Sequence, residues 1–178
     1  MRNRKPVGLA YITTLAILAA PCLPAMAAEE TISAFSVWVG EGQVIKTAPS
    51  QATFIGTLDG LVYVNTEEGP VETGRMLCPA TVRIDMTSGQ QTGSGNCSIT
   101  SPDGAQVFSE LTCSGVHLVG CSGEMKLTGG TGRFEKITGG GTFTIRSSLQ
   151  TLGLSPTTSI EHAARGIIYW PQLKYVLP

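Results

Sequence analysis

Histidine is scarce in this chain: there are two, His117 and His162. Charge is scarce too. Asp, Glu, Lys and Arg make up 14% of 178 residues and nearly cancel, at a formal −1, so the basic stripe that a nucleic acid would need is absent. Past residue 27 no apolar run approaches the ~20 residues of a membrane-spanning helix, and no membrane span is expected after that point. No stretch sustains a helical period; one turn over Ser159 to Arg165 is the most the pattern allows. Specific cofactor and catalytic signatures are also lacking. There are no paired C-x-x-C knuckles, no Gly-Lys phosphate loop, no heme attachment motif and no Ser-His-Asp order. The expectation is a protein without metal or cofactor.

Glycine is abundant, at 22 residues or about 12% against ~7% in ordinary proteins. These glycines punctuate short β-prone runs and therefore read as turns and bulges. Ile32 to Val39 is extended and apolar, with a turn expected at Gly40-Glu-Gly42. Residues 52–65 read as a hairpin turning at Asp59-Gly60. Thr66 to Pro70, Thr87 to Gln90 and Ser101 to Gly104 are turn signals. Thr142 to Leu149 is a further strand, Thr151 to Ser159 a loop, and Gly166 to Leu177 closes the chain. Many short strands with frequent turns predict one all-β domain, a sandwich or a barrel.

Residues 1–27 have the form of a secretory signal peptide. Arg2, Arg4 and Lys5 precede a short apolar run from Val7 to Ala20, and Ala25-Met-Ala27 is an A-x-A cleavage signal. Cleavage after Ala27 leaves residues 28–178 as the mature domain, with nine basic against thirteen acidic residues, net −4. The expected address is the periplasm or the exterior. Cys22 is lost with the leader, leaving Cys78, Cys97, Cys113 and Cys121. An even number of cysteines in an exported chain suggests two disulfides.

The clearest pattern begins at Met76. Met76, Cys78, Ala80, Val82 and Ile84 alternate with Leu77, Pro79, Thr81, Arg83 and Asp85. Period two with one apolar side is a half-buried strand. A hairpin turning near 86–90 pairs residues whose numbers sum to about 175, which sets Cys78 opposite Cys97. The turn at 101–104 preserves parity, so Cys113 shares the side of Cys97, and Cys121 follows across a short loop. Cys78–Cys97 with Cys113–Cys121 is the favoured pairing. The other two pairings stay open, because parity places all four sulfurs on one face. A four-cysteine zinc site is the rival reading, disfavoured by the spacing. Met76, Val82, Ile84, Ile99, Val107, Leu111, Met125 and Leu127 share that face and are the expected lining of an apolar interior.

Leu127-Thr-Gly-Gly-Thr-Gly-Arg-Phe134 and Ile137-Thr-Gly-Gly-Gly-Thr-Phe143 read as a hairpin corner, with glycines for the turn and large apolar residues flanking it. Gly129-Gly-Thr-Gly-Arg-Phe134 followed by Ile137-Thr-Gly resembles the allene oxide cyclase and dirigent-protein superfamily. Cys78-Pro79, Gly95-Asn-Cys97, Asp103-Gly104, Cys113-Ser-Gly115 and Gly120-Cys121 extend the similarity, over roughly residues 52–149, to exported bacterial members. The resemblance implies a single closed antiparallel β-barrel of about eight strands, often trimeric, with an apolar cavity. It also implies cofactor-free handling of hydrophobic intermediates.

Candidate polar groups for such a cavity are few. Tyr63 and Asn65 alternate with Val62 and Val64, and either pair could face inward. Ser109 falls on the apolar face, where its hydroxyl would bond a ligand or a neighbouring backbone group. His117 sits in the loop between Cys113 and Cys121 and titrates near neutrality. Glu161 and His162 are adjacent, so on a strand they face opposite ways. Arg133 is expected to bond turn carbonyls. Tyr169 and Trp170 are expected to pack or cap one end. Three functions remain in play: an exported barrel binding a hydrophobic small molecule, a cofactor-independent cyclase or isomerase, and a non-catalytic envelope protein working through its outer face.

Overall fold

The computed structural model describes residues 28–117, 119–149 and 159–177, except the side chains of 149 and 159–163. The leader 1–27, the 151–158 loop and the side chains of Glu161 and His162 lie outside that description. Eight strands follow one another: β1 (Glu29–Ala48), β2 (Gln51–Thr66), β3 (Gly69–Asp85), β4 (Gln90–Thr100), β5 (Gln106–Val116), β6 (Gly120–Gly130), β7 (Thr138–Leu149) and β8 (Ser159–Val176). Each pairs antiparallel with the next. β1 also pairs with β8, from Glu29↔Val176 to Ile45↔Ser159, so the ring of pairings closes. The molecule is thus an all-β, eight-stranded antiparallel sheet in a ring.

Alternation then separates inside from outside. From Met76 to Leu127 the expected inner residues do turn inward, and Met76, Cys78, Cys97, Leu111, Met125 and Leu127 are all buried. The β3–β4 register is the expected one, with Met76 opposite Ile99 and Ala80 opposite Gly95. Cys78 and Cys97 are joined with Cα atoms 4.1 Å apart, and Cys113 and Cys121 with Cα atoms 5.7 Å apart. The Asp85 carboxylate accepts the N–H groups of Thr87 and Ser88 to form the β3–β4 turn. The glycine-rich corner is a turn of 3-10 helix, Gly132–Phe134, with Gly132 at φ +58°. Thr131 N–H anchors the corner on the Gln106 carbonyl at 2.8 Å.

Three expectations about local structure are corrected. Gly40-Glu-Gly42 is not a turn; β1 runs straight through it. A Cβ at Gly42 would stand 2.6 Å from the Cα of Gly56 and 2.7 Å from the Phe54 ring, so glycine is there because a neighbouring strand and ring come close. Asp59-Gly60 is not a hairpin either. A Cβ at Gly60 would stand 2.8 Å from the Cα of Trp38, and Asp59 faces outward, pairing both its oxygens with Arg75. Residues 159–165 are strand, not a helical turn, because β1 supplies a partner along their whole length.

Candidate ligand-binding site

The two tryptophans organise the interior. Trp38 on β1 lies beside Gly166 of β8, where a Cβ would come within 2.5 Å of the indole Cζ2. Trp170 on β8 pairs with Ala34 of β1. It is 1% exposed and packs in the core, one of the two roles expected of it, while its neighbour Tyr169 faces outward. With Ser36, Met76, Cys78 and Ile168, Trp170 is among the most deeply buried side chains of the protein.

This packed midsection divides the inside of the ring into two compartments that share no lining residue. The smaller, about 130 Å³, is walled by Trp38, Leu58, Val82, Ile84, Leu111 and Phe143. Gln91 and His117 also line it, with the His117 Nδ1 and the Gln91 Oε1 3.2 Å apart. The larger, about 360 Å³, is walled by Val62, Ile99, Val107, Met125, Leu127 and Trp170. The glycine-rich corner closes one side of it with Phe134 and Ile137, and Arg133 and Tyr175 supply polar groups. The eight expected lining residues are therefore split. Val82, Ile84 and Leu111 go to one compartment, and Ile99, Val107, Met125 and Leu127 to the other. Met76 lines neither, because it is packed into the division itself.

The polar candidates fare differently. Val62 is buried, so Tyr63 and Asn65 project from the outer wall, contrary to a role inside. Tyr63 stacks on Phe35, ring centroids 5.1 Å apart, and Asn65 donates to the Ser33 hydroxyl at 2.9 Å. The extra residue at the register shift beside Val62 and Tyr63 is Thr73 on β3, so the alternation of β2 runs through it unbroken. Ser109 does face inward and is 2% exposed. Among the described residues its hydroxyl has no hydrogen-bond partner, backbone or side chain, and it lines neither compartment. His117 alone of the four reaches a compartment. Arg133 does not bond turn carbonyls; it pairs with Asp103 at 3.1 Å and lies 4.7 Å from the Phe134 ring centroid. The Ser101 hydroxyl, the Ala105 N–H and then Arg133 hold the Asp103 carboxyl below the usual carboxylate range.

Sequence reasoning missed the most informative polar atoms. The Nε1 of Trp38 and of Trp170 are buried and have no hydrogen-bond partner among the described residues. An unmet buried donor costs about 1–3 kcal/mol, which a ligand with an acceptor oxygen would recover. The only sequence signal was two tryptophans at inward parity.

Tyr175 stands by the larger compartment and donates its phenol proton to Glu30. That bond, with partial burial, pushes its pKa up to about 12. Because the folded value is raised from 10.0, the stability this bond contributes is present below about pH 10 and lost as pH climbs towards 12. A phenolate absorbance titration should show one late component that Tyr175→Phe removes; an unchanged titration would exclude the bond.

Among the described residues no helix is long and apolar enough to cross a membrane, and no three His, Cys, Asp or Glu side chains gather where they could hold a metal ion. The chain matches no family model and no curated protein.

Proposed function

We propose that this protein is an exported β-barrel that binds a hydrophobic small molecule in the larger of its two interior compartments. One observation carries the reading: an apolar space of about 360 Å³ bordered by Trp170, whose buried N–H has no partner. That volume falls within the ~300–1,000 Å³ typical of small-molecule sites, whose pattern is apolar walls with a few polar groups. The smaller compartment, at about 130 Å³, would hold little beyond a benzene-sized molecule. The two cysteine pairs suit an oxidising compartment and so support export to the periplasm or beyond. The closing ring of eight strands and the GGTGRF corner support a place in the allene oxide cyclase and dirigent superfamily. Shared fold would not bring that superfamily's chemistry with it.

Native mass spectrometry of the purified protein tests the proposal, with 8-anilinonaphthalene-1-sulfonate as a probe for protein that carries no ligand. The expected result is a co-purifying apolar molecule or saturable probe binding. Val107→Phe, which fills part of the larger compartment, should weaken either by about tenfold, or ~1.4 kcal/mol. Val82→Phe, in the other compartment, should leave it unchanged. A protein that carries nothing and does not bind the probe would end the proposal.

A cyclase or isomerase reading needs an ionisable group facing reacting atoms. His117, on the wall of the smaller compartment, and Tyr175, beside the larger one, are the observations in its favour.

A further inference from the structure

Two aromatic rings lie along the wall of the smaller compartment, each in space that glycines leave free. A Cβ at Gly40 would stand 3.1 Å from the Trp38 indole Cζ3, and one at Gly166 2.5 Å from its Cζ2, so the ring occupies the place of both side chains. The Phe54 ring takes the place of side chains at Gly42 and Gly56 in the same way. Elsewhere the chain withholds bulk: Ala80 on β3, Gly93 on β4, Ser147 on β7 and Ala164 on β8 all border the space. Gly93 has no positive φ, and a Cβ there would meet nothing nearer than the Cys113 Sγ at 3.3 Å. Neither backbone strain nor a backbone clash demands glycine at that position; what it preserves is room. Among the described residues no Asp, Glu, Lys or Arg lines the compartment, so an ion would enter it at a large desolvation cost. Gln91 is committed at the rim. Its Oε1 lies 3.2 Å from the His117 Nδ1, and its Nε2 donates to the Gly120 carbonyl at 3.4 Å. Trp38 differs: it is 4% exposed, and its Nε1 has no hydrogen-bond partner among the described residues. A buried water needs roughly two to four polar partners, so a donor on an apolar wall favours an organic acceptor.

We propose that the smaller compartment is a second ligand site, which takes an uncharged single-ring molecule with one acceptor oxygen, of the class of aromatic aldehydes, and that the Trp38 N–H donates to that oxygen. Size sets the number of rings. An engineered apolar cavity of ~150 Å³ takes benzene, and this compartment is about 130 Å³. The walls set the kind of ring. Trp38, Phe54 and Phe143 all line the space, and aromatic pairs gain more than area burial alone provides. The indole sets the oxygen, because pairing removes the cost of a buried, unmet N–H. None of this depends on whether the larger compartment is occupied.

Heteronuclear NMR of the isotope-labelled protein, titrated with benzaldehyde, tests the site. Each of the two tryptophans contributes one indole N–H signal, and Trp170→Phe assigns them. The Trp38 signal should move downfield, as a newly hydrogen-bonded proton does, and saturate with a Kd of about 1 mM or below. Styrene has the same shape with a methylene in place of the oxygen, and it should bind about tenfold more weakly. Val82→Phe, which fills the space opposite Gly93, should abolish the response. Ser147→Leu, which fills it from β7, should do the same and carries the test if Val82→Phe fails to fold. A Trp38 signal that does not respond, equal affinity for styrene and benzaldehyde, or a response that survives in a folded filling variant would overturn the proposal.

Discussion

Trp170→Ala should lower the unfolding free energy by about 3–5 kcal/mol, the range for deleting a large buried aromatic. Trp170 is 1% exposed and stands in the packed midsection that divides the interior. Its indole contacts cannot be replaced by solvent without opening the larger compartment towards that division. For a domain of this size the loss corresponds to a fall in Tm of roughly 10 °C, measured by far-ultraviolet circular dichroism. Trp170→Phe separates packing from hydrogen bonding. It keeps most of the ring volume and removes an N–H that has no protein partner, so stability should change by less than about 1.5 kcal/mol. Ligand binding in the larger compartment should weaken in the same variant, because the donor is lost. If Trp170→Ala costs under about 1 kcal/mol, the midsection is not packed as described, and the two compartments are one.

Removing the Cys78–Cys97 bridge by a Cys78→Ala/Cys97→Ala double substitution should cost about 3 kcal/mol from loop closure alone. The bridge spans 19 residues. Cys78 and Cys97 are also almost wholly buried, so the lost sulfurs leave space in the core and add to the cost. The Cys113→Ala/Cys121→Ala pair closes only eight residues and should cost less, about 2.5 kcal/mol. Cys113 is only partly buried and borders the smaller compartment, so its truncation creates less new void. Urea unfolding of the two double variants reads the difference. Equal losses, or a larger loss for the second pair, would show that the Cys78–Cys97 bridge is not set in the core.

How much was legible beforehand follows from how local each signal is. Alternation from Met76 to Leu127 is a property of neighbouring residues, and it correctly sorted the inner wall, the β3–β4 register and the favoured cysteine pairing. Glycine was the opposite case. Gly42 and Gly60 looked like turns because glycine permits them, yet both sit mid-strand, Gly42 against the Phe54 ring and Gly60 against the backbone of β1 at Val37 and Trp38. No local pattern distinguishes a glycine that bends the chain from one that makes room for a distant ring. Tyr63 and Asn65 were ambiguous for a similar reason: alternation separates them from Val62 and Val64, but which pair turns inward is set by the way the whole ring curves.

The order of residues by itself determined an all-β chain, the alternation of its inner wall and the favoured linkage of its four cysteines, because period-two patterning and turn chemistry act between near neighbours. Only the tertiary structure decided that the ring closes between β1 and β8, that the interior is two compartments sharing no lining residue, and that Gly42 and Gly60 lie mid-strand against a neighbouring strand. Each of those depends on which side chains meet across strands far apart in the chain, and on how their volumes fill a closed space.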